Sequence, residues 1–164
     1  MGLFTPKISK VELASANNML KQVNDCTKIV NTTTNPETYF SRLNFLFDLL
    51  LELRKYEKYR IFTGKSPTQD YNYLLDNLES SVNDFIDRTY EKQKEKMSTL
   101  KTDKSKYNSF QKYAQKMSTA FENANSFWQG NADVSHYTGI LYTQNNMLHL
   151  NKILEHVDDF SSSE

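Results

Sequence analysis

The sequence predicts an all-α fold: an irregular bundle of about five helices around a buried central helix at about 36–60. Three observations predict it. Only 4 glycines and 3 prolines occur in 164 residues, few for a sheet with many turns. Apolar residues recur at three- and four-residue spacing through most of the chain, which is the helical period. The densest apolar cluster, Tyr39 to Leu53, sits on one such periodic stretch. The chain reads as a single domain over 1–164, with an N-terminal arm at 1–8 and a frayed polar tail at 161–164.

The first helix opens with a capping-box pattern, Ser9 and Glu12. Leu13, Ala16, Leu20, Val23, Thr27 and Val30 follow in helical spacing, flanked by Met19 and Cys26. This stripe is thin, so the helix is expected on the outside of the central one. The polar β-branched run Asn31 to Thr34 ends it.

The central helix has Asn35 as N-cap, Pro36 at its first position and Glu37 in its first turn. Tyr39, Leu43, Leu46, Leu50 and Leu53 make one face. Phe40, Phe47 and Leu51 widen it on one side, and Phe45, Leu49 and Tyr56 on the other. A surface helix needs an apolar arc of only about 100°, so this one should touch several neighbours. The run is too short for a membrane span, and Asp48, Glu52 and Arg54 interrupt it.

Ile61 to Gly64 reads as a stop, with Gly64 suited to a left-handed cap. Ser66, Pro67 and Gln69 then open a third helix. Its stripe is Tyr71, Leu75, Leu78, Val82, Phe85 and Thr89. The stripe fades at Glu91 to Lys96 and resumes from Tyr107 through Phe110, Ala114, Met117, Phe121 and Ala124 to Trp128. Two helices with a break near 98–104 are expected here, rather than one very long helix. After a turn at Gly130 to Asp133, a last helix is expected from Val134 to Val157.

Lys plus Arg and Asp plus Glu both number 20, so the chain lacks a global basic excess. The one cysteine, Cys26, forms no intrachain disulfide and no cysteine-based zinc site. The first residues hold no apolar core of signal-peptide length, and the expected location is cytoplasmic, without a membrane. Phosphate-binding glycine loops, the G-x-S-x-G elbow and metal motifs are missing. His149, His156 and Asp159 share a helical face, yet two solvent-edge histidines near a helix C-terminus explain them as well. No catalytic residue, metal or cofactor is expected.

Two local features stand out. Tyr56, Tyr59, Phe62, Tyr71 and Tyr73 crowd the second connection, a density seen at interfaces and at the sealed ends of bundles. Bundle-end packing is the favoured reading, with part of the cluster a candidate protein interface. The second feature is basic: residues 91–116 hold eight lysines against three acidic residues. Residues 66–90 hold five acidic residues against Arg88. Lys92, Lys94, Lys96, Lys101, Lys104 and Lys106 could grip phosphates while Tyr107, Phe110 and Tyr113 stack bases. Lysine without arginine gives no bidentate phosphate fork, and a solvated helix is the plainer reading.

Over NTTTNPETYFSRLNFLFDLLLELRKYEKY and SSVNDFIDRTYEK the chain resembles uncharacterised helical proteins of low-GC Gram-positive bacteria, their phages and mobile elements. The resemblance implies an all-helical fold and no particular activity. The expected function is a non-enzymatic protein-interaction or regulatory protein whose partner is another protein, with self-association open. The alternatives are a nucleic-acid binder using Lys92–Lys116 and a small-molecule-binding bundle.

Overall fold

The computed structural model describes residues 5–131, Asp133 and Val134. These residues form α1 (Lys10–Thr32), α2 (Pro36–Arg54), α3 (Pro67–Asp76), α4 (Leu78–Ser98) and α5 (Asp103–Gln129), with a 3-10 turn at Glu57–Tyr59. No strand occurs among the described residues, and the chain is an all-α bundle. The five helices are not the five expected. The third expected helix divides at Asn77 into α3 and α4. The last expected helix, its histidines, the tail at 161–164 and residues 1–4 of the arm lie outside the described residues.

Helix α1 starts as its sequence dictates: Ser9 Oγ accepts from Glu12 N at 3.1 Å, and Ser9 N donates back to Glu12 Oε1. Its buried line is rotated from the expected one. Ala16, Cys26 and Val30 are buried, and Met19 and Val23 pack beside them. Thr27 is exposed and donates its hydroxyl to Val23 O, while Leu13 stays 38% exposed. The helix lies outside α2, as its thin stripe predicts.

Asn35 Oδ1 accepts from Thr38 N and opens α2 with Pro36 in its first turn. Tyr39, Phe40, Leu43, Leu46, Phe47, Leu49, Leu50 and Leu53 are all buried. Burying one such side chain contributes about 1.5–3 kcal/mol, so this helix dominates the core. It packs against α1, α3 and α5. It ends at Arg54, short of residue 60. Beyond Arg54 the polar groups are used elsewhere. Glu57 Oε1 accepts from Thr68 N and Thr68 Oγ1, covering the start of α3, and Tyr59 donates its hydroxyl to Glu12 Oε2 on α1. Arg60 takes a left-handed backbone (φ 55°), as does Gly64 (φ 77°).

The break at Asn77 has a local cause. Its side chain donates to Tyr73 O at 2.8 Å, competing with the helical ladder, and its backbone leaves helical geometry (φ −105°, ψ 13°). Leu78 immediately re-enters the core. The break near 98–104 falls where the fading stripe predicts it, with Thr102 Oγ1 accepting from Ser105 N to start α5.

At the centre, the rings of Tyr39 and Phe85 stack with centroids 4.0 Å apart, and Phe40 meets Phe85, Phe121 and Trp128 edge-on. A smaller cluster of Tyr90, Met97, Phe110 and Ala114 fills the distal half of the α4–α5 hairpin. Tyr113 packs against both clusters. The hairpin is therefore held by apolar packing along its length.

Candidate functional site

The α4–α5 hairpin carries the basic stretch, and folding sorts its lysines. Lys92 and Lys96 lie one turn apart on α4, and Lys112 and Lys116 one turn apart on α5. All four are exposed and line one groove of about 490 Å³. Its remaining lining includes Thr34 and Pro36 at the start of α2, Thr89, Gln93 and Thr99 on the α4 side, and Tyr113. Among the described residues, the one carboxylate on its border is Glu95. Among the described residues, none of the four ammonium groups lies within 4.0 Å of a carboxylate. Lys92 Nζ donates to Thr34 Oγ1 at 3.0 Å, tying one wall to the start of α2.

The groove floor is fixed by neutral hydrogen bonds. Thr89 gives its hydroxyl proton to Ile86 O, so it accepts from Tyr113 at 2.9 Å. Burial pushes the Tyr113 phenol up to about 12. The floor therefore adds no negative charge at neutral pH. Gln93 donates to Ser109 at 2.9 Å and links the two helices.

The other candidate lysines fall elsewhere. Lys94 sits 3.9 Å from Glu91 with its ammonium 5.6 Å from the Tyr90 ring centroid. Lys101 and Lys104 are exposed at the hairpin turn, and Lys106 is buried. The stacking residues expected beside the run do not make a platform. Phe110 is fully buried, Tyr113 turns its hydroxyl inward, and only Tyr107 stays open at 43%. Lys112 and Lys116 are legible as part of the basic stretch. That they share a groove with Lys92 and Lys96, displaced from them along the hairpin by the Thr89–Tyr113 and Gln93–Ser109 register, follows only from the fold.

The aromatic cluster divides too. Tyr71 is buried against Phe47 and donates to Asp133 Oδ2 at 2.7 Å. Its phenol is raised, chiefly by burial and then by that carboxylate. Tyr56 and Tyr59 are half-buried neighbours, and Tyr59 is committed to Glu12. That bond lowers the Glu12 carboxyl and raises the Tyr59 phenol. Phe62 is half-buried. Tyr73 alone presents most of its surface, 60%, with Lys65 Nζ 4.8 Å from its ring centroid.

Two further hollows flank α2. One of about 630 Å³ continues from Lys112 and Lys116 along α5 past Glu37, Ser41 and Asn44. The other, about 730 Å³, lies between α1 and α4 over Leu46 and Leu50. Arg88 closes one end of the latter. Its Nε donates to Thr33 O, and its Nη2 to Val30 O and Thr33 O, so its fork caps the carbonyl end of α1. Nothing in the sequence marks Arg88 for that role. Among the described residues no helix is long and apolar enough to cross a membrane, and no three potential metal ligands cluster. Comparison with protein-family models, curated proteins and solved structures gives no match.

Proposed function

We propose that this chain is a non-enzymatic protein-interaction or regulatory protein of the cytoplasm, which holds an acidic surface of another protein in the α4–α5 groove. The observation that carries this reading is the set of four ammonium groups, Lys92, Lys96, Lys112 and Lys116, around one groove with no carboxylate of the described residues within ion-pair distance. Such charges repel one another, and an acidic partner relieves that repulsion. Lysine provides point charges rather than a bidentate fork. Phe110 is buried and Tyr113 lies in the groove floor with its hydroxyl bonded inward, so of the three rings only Tyr107 stands open for base stacking. The lack of a stacking platform favours a carboxylate-bearing protein over nucleic acid.

The test is capture from a nuclease-treated native extract. The wild-type chain should retain a protein that the variant Lys92→Gln, Lys96→Gln, Lys112→Gln, Lys116→Gln releases, and retention should fall with salt. Retention equal in the two chains contradicts the reading. A loss of retention on nuclease treatment alone puts nucleic acid in the groove instead.

A further inference from the structure

We infer that the occupant of the groove is an acidic α-helix of the partner, laid along α4 and α5 with carboxylates on both of its flanks. The inference deepens the proposed function and rests on it. Lys92 and Lys96 are four residues apart on one helix, and Lys112 and Lys116 four apart on the other. Each pair therefore repeats its charge every helical turn, roughly 6 Å along the axis at 1.5 Å per residue. A third helix running alongside repeats its own side chains at the same rise, so carboxylates at i and i+4 meet successive ammonium groups. An extended strand also presents two faces, but its side chains repeat roughly every 6.6 Å on each, so the helical rise is the closer match to both lysine pairs.

The floor fits the same occupant. Between the lysine walls lie Thr89, Gln93 and Tyr113, whose polar atoms are engaged with neighbouring side chains. They leave a mostly satisfied, uncharged surface. A small or apolar stripe between the two acidic flanks would pack there, as amphipathic helices do in grooves. The groove continues along α5 into the hollow beside Glu37, Ser41 and Asn44, where the Glu37 carboxylate sets the limit of an acidic flank. Lys112 and Lys116 belong to both hollows, so a helix can run on past them.

Two labelled five-turn peptides of about 18 residues test this. They share one alanine, glutamine and glutamate composition and one hydrocarbon staple. In the first, glutamates occupy both flanks at i and i+4. In the second, they are dispersed around the helix. An oligonucleotide of equal charge serves as the third probe. Binding is followed by fluorescence anisotropy at about 0.1 M salt. The flanked peptide should bind at least about tenfold more tightly than the dispersed one, a difference the four Lys→Gln substitutions abolish. Equal binding of both peptides overturns the inference, because charge alone then suffices. So does tighter binding of the oligonucleotide. A self-associating chain whose dimer excludes the flanked peptide overturns it as well, by assigning the groove to a second copy. If extract capture depends on the four lysines while the peptides do not differ, the helix is wrong and the protein interface stands. If capture is also independent of them, the proposed function itself fails.

Discussion

The indole Nε1 of Trp128 donates to Asn44 Oδ1 at 3.0 Å, joining the end of α5 to the middle of α2. Trp128 is fully buried, so its single N–H has no access to water. Asn44 is a half-buried polar residue of the central helix, and this bond makes it part of the inter-helix contact. Asn44→Ala should cost about 1–3 kcal/mol, because it strands a buried donor. Urea unfolding measures it. A loss below the error of the fit would show that the indole has another partner.

Arg88 should behave as a clamp rather than a charge. Its guanidinium holds Val30 O and Thr33 O together. Arg88→Met should destabilise by about 1.5–3 kcal/mol, the range for hydrogen bonds to charged groups. Arg88→Lys should recover only part of this, since an ammonium on a flexible stem does not match the fork. Full recovery by lysine would reduce the contact to simple charge at the end of α1.

The core ranking follows burial. Leu46 and Leu50 are 4% and 3% exposed, and Leu13 is 38% exposed. Leu46→Ala and Leu50→Ala should each cost about 2–5 kcal/mol. Leu13→Ala should cost less than either, because more than a third of its surface stays in water. If denaturation places Leu13 highest, α2 is not the organising helix.

Alkaline pH should weaken the fold in a defined window. Burial pushes the Tyr39 hydroxyl up to about 12 from the usual 10, although its bond to Ser81 Oγ acts the other way. The unfolded chain then releases this proton first. Stability from Tyr39 is complete below pH 10 and falls as pH rises towards 12. The loss amounts to about 2–3 kcal/mol for a two-unit difference. Tyr113, also raised to about 12, adds to it. Unfolding free energies measured from pH 9 upwards should show this slope, and Tyr39→Phe should flatten it. A wild-type profile with no slope would mean that Tyr39 meets solvent.

Helix starts were legible because they are local. Ser9–Glu12, Asn35–Pro36 and Ser66–Gln69 each place their capping groups within three residues. The helix ends at Arg54 and Asp76 were not, because they depend on contacts far along the chain or on one side-chain bond. Glu57 reaches Thr68, Tyr59 reaches Glu12, and Asn77 bonds back to Tyr73. The site divides the same way. The basic stretch reads directly from composition, but the pairing of Lys92 and Lys96 with Lys112 and Lys116 needs the hairpin, and so does the burial of Lys106. The period of α1 showed a stripe without fixing which of Cys26 or Thr27 faces inward, a rotation that only packing against α2 decides.

Lysine-reactivity footprinting reads the occupancy of the α4–α5 groove residue by residue. The chain is labelled with an amine-reactive reagent alone and then in nuclease-treated extract, and each lysine is read by peptide mass spectrometry. Lys92, Lys96, Lys112 and Lys116 should lose reactivity together in the extract, while the exposed Lys28 and Lys55 on the bundle should not. Unchanged reactivity at the four, or protection centred on Lys65 beside Tyr73, would contradict the account and move the interface away from the α4–α5 groove.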